Sequence, residues 1–500
     1  MNSPAINHKR SSVFLYLGFV VVASFFTYFF NYYQPAATFW DEPYHIASAQ
    51  KYLNGVYFME QHPPLGKLLI ALGEKITHAN KVNNQFINTD YAKEVPAGFS
   101  YVGYRLFPAL LGWLTAPLLF LVFFLITRHE ANSSLLSFLY IFDNALIVHG
   151  RGAMIESTLL FLCTAMIAVF LLLLRYAGKK RAFAGLSIAL GVLFGLIMTT
   201  KLVGLVMILL FPAACVFLWP KVSKIGSFFG LALLGFVVAF VGVWQIHFSL
   251  GTTLQPQLPD NGYYQASASY KTILAKHLTS SPLSFPVMIA DSMKFVGHYN
   301  GGVPRLDLCK SDENGSPFFY WPFGARTINY RWQAVSDSVY RYLYLVPNAV
   351  GWLCGLVGIF ACVAILFGWL FLPLKKKPEH LFLIALFTAL YFGYMIAISR
   401  LDRVMYLYHY FLPLLFSYIL FALAFENFHT FASRTLNEHK RGIVLTVIAI
   451  CIFGCFQVYR PFTYYEAISN KQVQRRAIVP LWEMTCVNCA KKSILVVPSK

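Results

Sequence analysis

The chain has 500 residues, is 58% hydrophobic and only 12% charged, and carries a formal net charge of +19. That composition excludes an ordinary set of soluble domains, and apolar runs long enough to cross a hydrocarbon core, roughly 20 residues each, recur along most of the length. The positive charge is not a nucleic-acid signal, because it is gathered into short connections: Lys9 and Arg10, Arg128, Arg175 with Lys179, Lys180 and Arg181, Lys221 with Lys224, Lys375 to Lys377, and Arg434 with Lys440 and Arg441. Cations on alternate connections mark the cytoplasmic face, so the pattern predicts a cytoplasmic N-terminus and places the loop 34–101, the loop 248–342 and the tail 460–500 on the opposite side.

The sequence thus predicts an all-α polytopic membrane protein. The spans fall at 13–33, 102–126, 134–150, 154–174, 183–200, 202–219, 226–247, 343–372, 380–398, 406–426 and 442–459, about eleven crossings, of which 134–150 and 183–200 are short for the task. Residues 1–247 form an N-terminal membrane core, 248–342 a large outside loop, 343–459 the C-terminal helices and 460–500 a tail. The start of the chain has the basic residues of a secretory signal, but its apolar run is too long for one and reads as a span.

The first outside loop holds FWDEPYHIASAQKYLNGVYFMEQHPPLGKLLIALGEKI, residues 39–76. Two carboxylates, Asp41 and Glu42, stand where a membrane helix ends, a costly position without a purpose. Pro43 suits a first helical turn and Gly55 a stop, with Asp41 or Glu42 as the cap. Pro63 and Pro64 signal a second start, after which Leu65, Leu68, Leu69, Leu72 and Ile76 recur at helical spacing, as in a helix lying in the membrane interface. Residues 77–100 are polar and turn-rich, and Arg105 then opens the second span, where it serves as an interface anchor or faces the site.

Further ionisable residues interrupt later runs. IVHGRGAMIESTLLF, residues 147–161, holds His149, Arg151 and Glu156 around a Gly-broken turn. Charges there need partners or a role, so Arg151 and Glu156 are either an internal pair fixing two helices or members of a site. Lys201 falls between two apolar runs in MTTKLVGL. In the large loop, Pro, Gly and aromatic residues suggest a compact cover with little regular strand and one interfacial helix over 270–299. ISRLDRVMYLYHYFLPLLF, residues 398–416, carries Arg400, Asp402, Arg403 and His409 among Tyr406, Tyr408 and Tyr410, three tyrosines that an aromatic belt alone would explain. Of nine cysteines, Cys163, Cys215, Cys354, Cys362, Cys451 and Cys455 read as small core residues, Cys486 and Cys489 as a short-loop disulfide in an oxidising compartment, and Cys309 has no assignment.

Gathered on one edge, Asp41, Glu42, His62, Lys67, Arg151, Glu156, Lys201, Arg403 and His409 set a carboxylate pair against several cations. Phosphate suits such cations, since Arg binds it as a fork and Lys as a point charge. A glycosidase needs two carboxylates because its leaving alcohol has to be protonated. A departing phosphate needs no proton, so cations can meet its charge while one carboxylate takes the proton of an attacking hydroxyl.

The first-loop stretch resembles the first outside loop of the protein O-mannosyltransferase family, members of the GT-C membrane glycosyltransferases, in which an Asp-Glu pair is followed by YF and HPPLGK. HGRGAMIESTLLF, TTKLVGL and RVMYLYHYFLPLLF resemble, in the same order, three later segments of that family. The resemblance implies a GT-C fold and an inverting transfer of a sugar, mannose in the family, from a polyprenyl or dolichyl phosphate to Ser or Thr of exported proteins. It implies Asp41 as general base, Glu42 as a second carboxylate orienting acceptor or sugar, and Arg151, Lys201, Arg403 and His409 around the donor phosphate and sugar. His62 and Lys67 belong to the motif, touching substrate or only holding the loop, and Glu156 has no assigned role. No cofactor or metal ligand set is implied, and a divalent metal stays open. Eukaryotic members carry a β-trefoil MIR domain in the large loop; residues 248–342 are too few to hold one, which points to a bacterial-type member in the cytoplasmic membrane with its site on the periplasmic side (the ER membrane in a eukaryote). Two other readings stand beside this: the same donor with a lipid or envelope-glycan acceptor, as in aminoarabinose transferases, and a transporter, whose paired broken helices the sequence does not display. All three have membrane lipid and none has nucleic acid as a partner.

Overall fold

In lipid a chain has to satisfy its own backbone polar groups, so the apolar runs fold as helices. The structure, a computed structural model, describes residues 10–92, 94–254, 262–310, 313–373, 376–431 and 437–489. Lys9, Lys375 and Arg434 of the charge pattern lie outside the described residues. The helices in chain order are α1 (Arg10–Ser24, continued by a π-helical turn at Phe25–Phe29), α2 (Glu42–Leu53), α3 (Leu65–Thr77), α4 (Val102–Thr127), α5 (Glu130–Ile141), α6 (Asn144–Gly150), α7 (Glu156–Tyr176), α8 (Lys180–Met198), α9 (Leu210–Leu218), α10 (Val222–Leu250), α11 (Ala268–Ala275), α12 (Phe285–Gly302), α13 (Ala349–Phe371), α14 (Leu381–Ser399), α15 (Phe411–Phe431), α16 (Glu438–Thr463) and α17 (Asn470–Arg476).

Among the described residues nine helical stretches are long and apolar enough to cross a membrane, and a tenth is counted if α5 and α6, bent by 65°, form one span. The short run at 183–200 is a full span, α8, whereas 134–150 is the bent pair. It breaks where the Asp143 carboxylate accepts the Leu146 N–H and caps a new helix. Residues 202–219 do not make a full span either: a 3-10 stretch, Leu202–Leu209, precedes α9, and the two together are shorter than the rest. The expected eleven crossings therefore resolve into nine spans, one bent pair and one short apolar segment. Small residues let the spans approach closely. A Cβ on Gly191 of α8 would lie 1.9 Å from the Ala232 carbonyl of α10, so only glycine fits that crossing.

The fold is not wholly helical. A three-stranded antiparallel sheet of β1 (Ile328–Ser336), β2 (Val339–Leu345) and β3 (Ala467–Ser469) closes the large loop onto the tail. This corrects the expectation of little strand in that loop. In β2, Tyr340, Tyr342 and Tyr344 alternate along VYRYLYL and are buried with Tyr459, Phe462 and Trp482, an apolar face that strands bury more readily than a loop. The span expected to start at 343 begins instead at Ala349, where Asn348 caps the Gly351 N–H. The disulfide joins Cys486 to Cys489, with Cα atoms 5.2 Å apart. Cys163, Cys354 and Cys362 are buried as expected, while Cys451 is exposed.

The first outside loop folds as two short helices, α2 and α3, the first with Pro43 in its opening turn and the second starting after Pro64. Neither carboxylate caps α2 as expected. Asp41 occupies the cap position without a cap bond, and Glu42 reaches back to the Phe39 N–H. The interfacial helix expected at 270–299 is two helices, α11 and α12, divided near Pro282.

Candidate active site

Asp41 is half-buried beneath aromatic rings. Its carboxylate accepts the hydroxyl of Tyr408 at 3.2 Å. Trp40 stacks on Tyr330 of β1 at 4.9 Å and meets Tyr406 edge-on at 5.3 Å. Burial, and next the charge of Glu156, push the Asp41 carboxyl above the usual carboxylate range, against the opposing pull of His149, Lys201 and the Tyr408 hydroxyl. When ionised, a carboxyl raised in this way is a stronger base than an ordinary carboxylate.

A second carboxylate lies behind the first. The break before Asn144 and the turn Arg151–Ile155 set His149 at the end of α6 opposite Glu156 in the first turn of α7. His149 Nε2 lies 2.8 Å from Glu156 Oε2, and its Nδ1 lies 2.6 Å from the Tyr330 hydroxyl. Lys201, three residues past the end of α8, donates to Glu156 Oε1 at 2.5 Å and stands 5.5 Å from the centre of the Tyr408 ring. Tyr408 and Tyr330 therefore connect Asp41 and its neighbour Trp40 to a buried His149–Glu156–Lys201 cluster. Glu156 sits at a helix N-terminus, where the helix dipole favours its charge.

Beside this cluster opens a cavity of about 510 Å³ lined by His62, Lys201, Asn300, Arg403 and His409 together with Leu202 and Leu401. Arg403 donates through Nη1 to the Asn300 side chain at 2.5 Å, while its buried Nε has no partner. A guanidinium lining a cavity is a ready donor for an anion. Burial, with Lys201 and Lys67 nearby, holds His62 well below the usual histidine range, hence neutral. His409 is stacked on Tyr408 at 4.5 Å, with Nδ1 3.0 Å from the Tyr406 carbonyl oxygen. Among the described residues no three His, Cys, Asp or Glu side chains converge to hold a metal ion.

Other members of the sequence-derived set are turned elsewhere. Glu42 does not face the cavity: it is fully buried, takes Arg105 Nε at 2.6 Å and Nη2 at 2.8 Å, and accepts the N–H groups of Phe39 and Ala153. Its acceptor capacity is spent on holding the loop. Arg105 is neither exposed nor an interface anchor, since it is clasped between the Phe39 and Tyr101 rings and also donates to the carbonyls of Tyr33, Pro35 and Ala37. Arg151 is directed away from Asp41 and from Glu156. It donates to the carbonyls of Thr27, Phe30 and Asn31, the open end of the first span, and packs over Tyr464. Lys67 is buried against Glu60 at 2.5 Å, so of the two motif residues it is the one that braces the loop while His62 reaches the cavity. Tyr408 is no belt residue but an Asp41 ligand, and sequence reasoning missed it together with Tyr330 and Asn300. The alternation of aromatics in residues 328–345 was the available signal for Tyr330.

Known proteins with related sequences bear on this arrangement. The family model described as dolichyl-phosphate-mannose-protein mannosyltransferase matches residues 18–254, and that of the C-terminal four-helix membrane region of protein O-mannosyltransferase matches residues 285–482. This chain belongs to the protein O-mannosyltransferase family. Within that family it is 28% identical over 271 residues to mannosyltransferase 1 of Candida albicans, covering 50% of this chain and 30% of that protein. It is 33% identical over 193 residues to mannosyltransferase 4 of Schizosaccharomyces pombe, covering 37% of this chain and 24% of the relative. The matched part is thus less than a third of the length of these curated relatives. In structure it resembles the Saccharomyces cerevisiae protein O-mannosyltransferase complex Pmt1-Pmt2 bound to its sugar donor, with a TM-score of 0.79 and 15% identity over 97% of this chain and 94% of that one. The oligosaccharyltransferase of Archaeoglobus fulgidus is more distant, with a TM-score of 0.51 and 12% identity over 92% of this chain and 57% of that one. The likeness establishes the membrane glycosyltransferase fold of the family's chain.

Proposed function

We propose that this protein transfers a sugar, mannose by its family, from a polyprenyl or dolichyl phosphate to the hydroxyl of Ser or Thr in exported proteins. The observation that carries the reading is a raised carboxylate, Asp41, bonded to Tyr408, against whose ring pack Lys201 and His409 of a cavity that Arg403 also lines. Asp41 takes the proton of the acceptor hydroxyl as its oxygen attacks the anomeric carbon. The bond from that carbon to the phosphate oxygen breaks, and its electron pair leaves with the lipid phosphate, inverting the configuration. Arg403 and Lys201 meet the charge that builds on the departing phosphate, and His409 and neutral His62 hydrogen-bond the sugar or phosphate. Glu42 and Arg105 position the loop that presents Asp41, and His149 with Glu156 holds Lys201 in place. The charge pattern of the connections supports a site on the non-cytoplasmic side, periplasmic in a bacterial cytoplasmic membrane or lumenal in the ER of a eukaryote.

The test is incubation of the purified protein with radiolabelled polyprenyl-phosphate mannose and either a Thr-containing peptide or a lipid acceptor. The expected result is label on the peptide with inverted configuration. Turnover with the lipid alone refutes the protein acceptor, and no turnover of the donor with either refutes the reaction.

A further inference from the structure

The apolar face of α3 has no part in the site described above. On one side Gly73 brings α3 against α4, where a Cβ would lie 2.3 Å from the Gly103 carbonyl, and on another α2 packs on it. Toward α10 it stays open. The groove between them has a volume of about 790 Å³, with Leu68, Leu69 and Leu72 of α3 on one wall and Val243, Ile246 and Leu250 of α10 on the other. Leu72, Ile246 and Leu250 are exposed, and Leu234, Val238 and Val241 carry an exposed apolar surface further along α10. The end of α2 closes the groove: Tyr52 and His247 Nδ1 share a hydrogen bond at 2.8 Å, and the Gly55 carbonyl accepts the N–H groups of Thr252 at 3.0 Å and Thr253 at 2.9 Å.

Cations stand at the rim. Lys75 is in the last turn of α3, His78 ends that helix with a left-handed backbone, and Lys81 follows in the turn it starts. All three are exposed, and among the described residues none has an ion-pair partner. The turn that carries them is firmly built. Glu74 Oε1 accepts the Asn80 N–H at 2.8 Å and the Asn83 side chain at 3.2 Å, while the Asn83 carbonyl and Oδ1 accept the Asn54 side chain and the Tyr104 hydroxyl, each at 2.6 Å. Glu74, the one carboxylate among the lining residues, is thereby directed at the turn, and its other oxygen is buried against Gly103 of α4. A positively charged headgroup meets no accessible carboxylate in this groove.

We infer that this groove seats an anionic glycerophospholipid, its phosphate among Lys75, His78 and Lys81 and its acyl chains along α3 and α10. Aliphatic walls that run on into the exposed surface of a span suit acyl chains, and two lysines beside them suit a phosphate as point charges. A soluble anion would make no use of the walls. The donor's phosphate cannot react from here: the groove shares no lining residue with the 510 Å³ cavity and lies at the C-terminal end of α2, twelve residues or about 18 Å along the helix from Asp41 at its start. The lipid bridges α3 to α10 where the two otherwise part, so it braces the pair of short helices that presents Asp41, and its binding stabilises the folded chain by mass action.

The experiment places photoreactive p-benzoylphenylalanine at Leu72, in the groove, or at Phe229, an exposed residue toward the other end of α10, in the full chain. Each variant is irradiated in detergent with labelled phosphatidylglycerol, phosphatidylcholine or polyprenyl phosphate. Phosphatidylglycerol is expected to be captured at position 72 about tenfold better than phosphatidylcholine, and Lys75→Gln combined with Lys81→Gln, both at exposed positions, is expected to remove that preference while capture at position 229 is unchanged. Phosphatidylglycerol is also expected to raise the thermal midpoint of the unsubstituted protein and to raise that of the double variant less. Equal capture of the two phospholipids at 72, capture of phosphatidylglycerol that survives the lysine substitutions, preferential capture of polyprenyl phosphate there, or a cross-link from 72 to a second copy of the chain overturns the inference. None of these readouts needs turnover, so they stand or fall separately from the transfer reaction.

Discussion

Tyr408 donates its hydroxyl to the Asp41 carboxylate at 3.2 Å, joining the first outside loop to a helix start 367 residues further on. A hydrogen bond to the charged form of a carboxyl lowers its pKa, whereas burial and the neighbouring charge of Glu156 raise it, and at Asp41 the raising effects win. The base is thereby kept both aimed and proton-hungry.

That balance sets the pH dependence. Asp41 works as a base only when ionised, and its pKa is raised, so activity should fall with decreasing pH before an ordinary carboxylate would begin to protonate. Tyr408→Phe removes a lowering contribution and moves the acid limb of the kcat profile to higher pH. Glu156→Gln removes a raising one and moves the limb to lower pH. Rate profiles between pH 4 and 9, a window of roughly the usual carboxylate and histidine ranges, read both shifts, and limbs that move together or not at all contradict the assignment.

The Glu42–Arg105 pair is expected to act on stability first. Both are fully buried and satisfy one another, so removing one partner leaves an unpaired charge, at a cost of about 3–5 kcal/mol. Arg105→Ala should lower the thermal midpoint in detergent markedly, and Arg105→Lys should not restore it, because an ammonium cannot reproduce the fork that reaches Glu42 and three carbonyls. A Glu42→Gln protein of normal stability with lost turnover would return Glu42 to the substrate.

Two arginines of the sequence-derived set should separate cleanly in kinetics. Arg403→Ala is expected to raise the donor KM tenfold or more, at ~1.4 kcal/mol per decade, and to leave the thermal midpoint nearly unchanged. Arg151→Ala is expected to do the reverse, because it frees the three carbonyls that end the first span. Measuring donor KM and midpoint on both variants checks the pair, and an Arg151→Ala protein of normal stability with a tenfold donor KM contradicts it.

Why some of this was legible in the sequence and some was not has a physical basis. The bounds of α2 and α3 follow from local punctuation, Pro43, Gly55 and Pro63-Pro64, which acts without tertiary help. Lys201, Arg403 and His409 stand out because ionisable groups at the ends of apolar runs are costly and rarely idle, whereas His62 is legible only through the HPPLGK motif. Asp41 and Glu42 are adjacent and chemically alike, and only the tertiary position of Arg105, brought beside the loop by α4, tells them apart. Arg151 was misread for a related reason: its partners are backbone carbonyls, which carry no side-chain signature. Tyr408 looked like an interface tyrosine because a ring at the membrane edge and a ring beside a base are the same residue in the same kind of segment. The hairpin was present in the period-two pattern of VYRYLYL, but that pattern runs straight into the apolar stretch of α13 and was absorbed into a longer predicted span.

The most direct test is Asp41→Asn, which keeps the shape of the side chain and a hydrogen bond to Tyr408 but cannot accept the proton. Single-turnover transfer from labelled polyprenyl-phosphate mannose, measured beside donor binding and thermal midpoint, should fall by about 10²–10⁴-fold with binding and midpoint retained. Near-normal transfer by this variant would contradict the role of Asp41 as base.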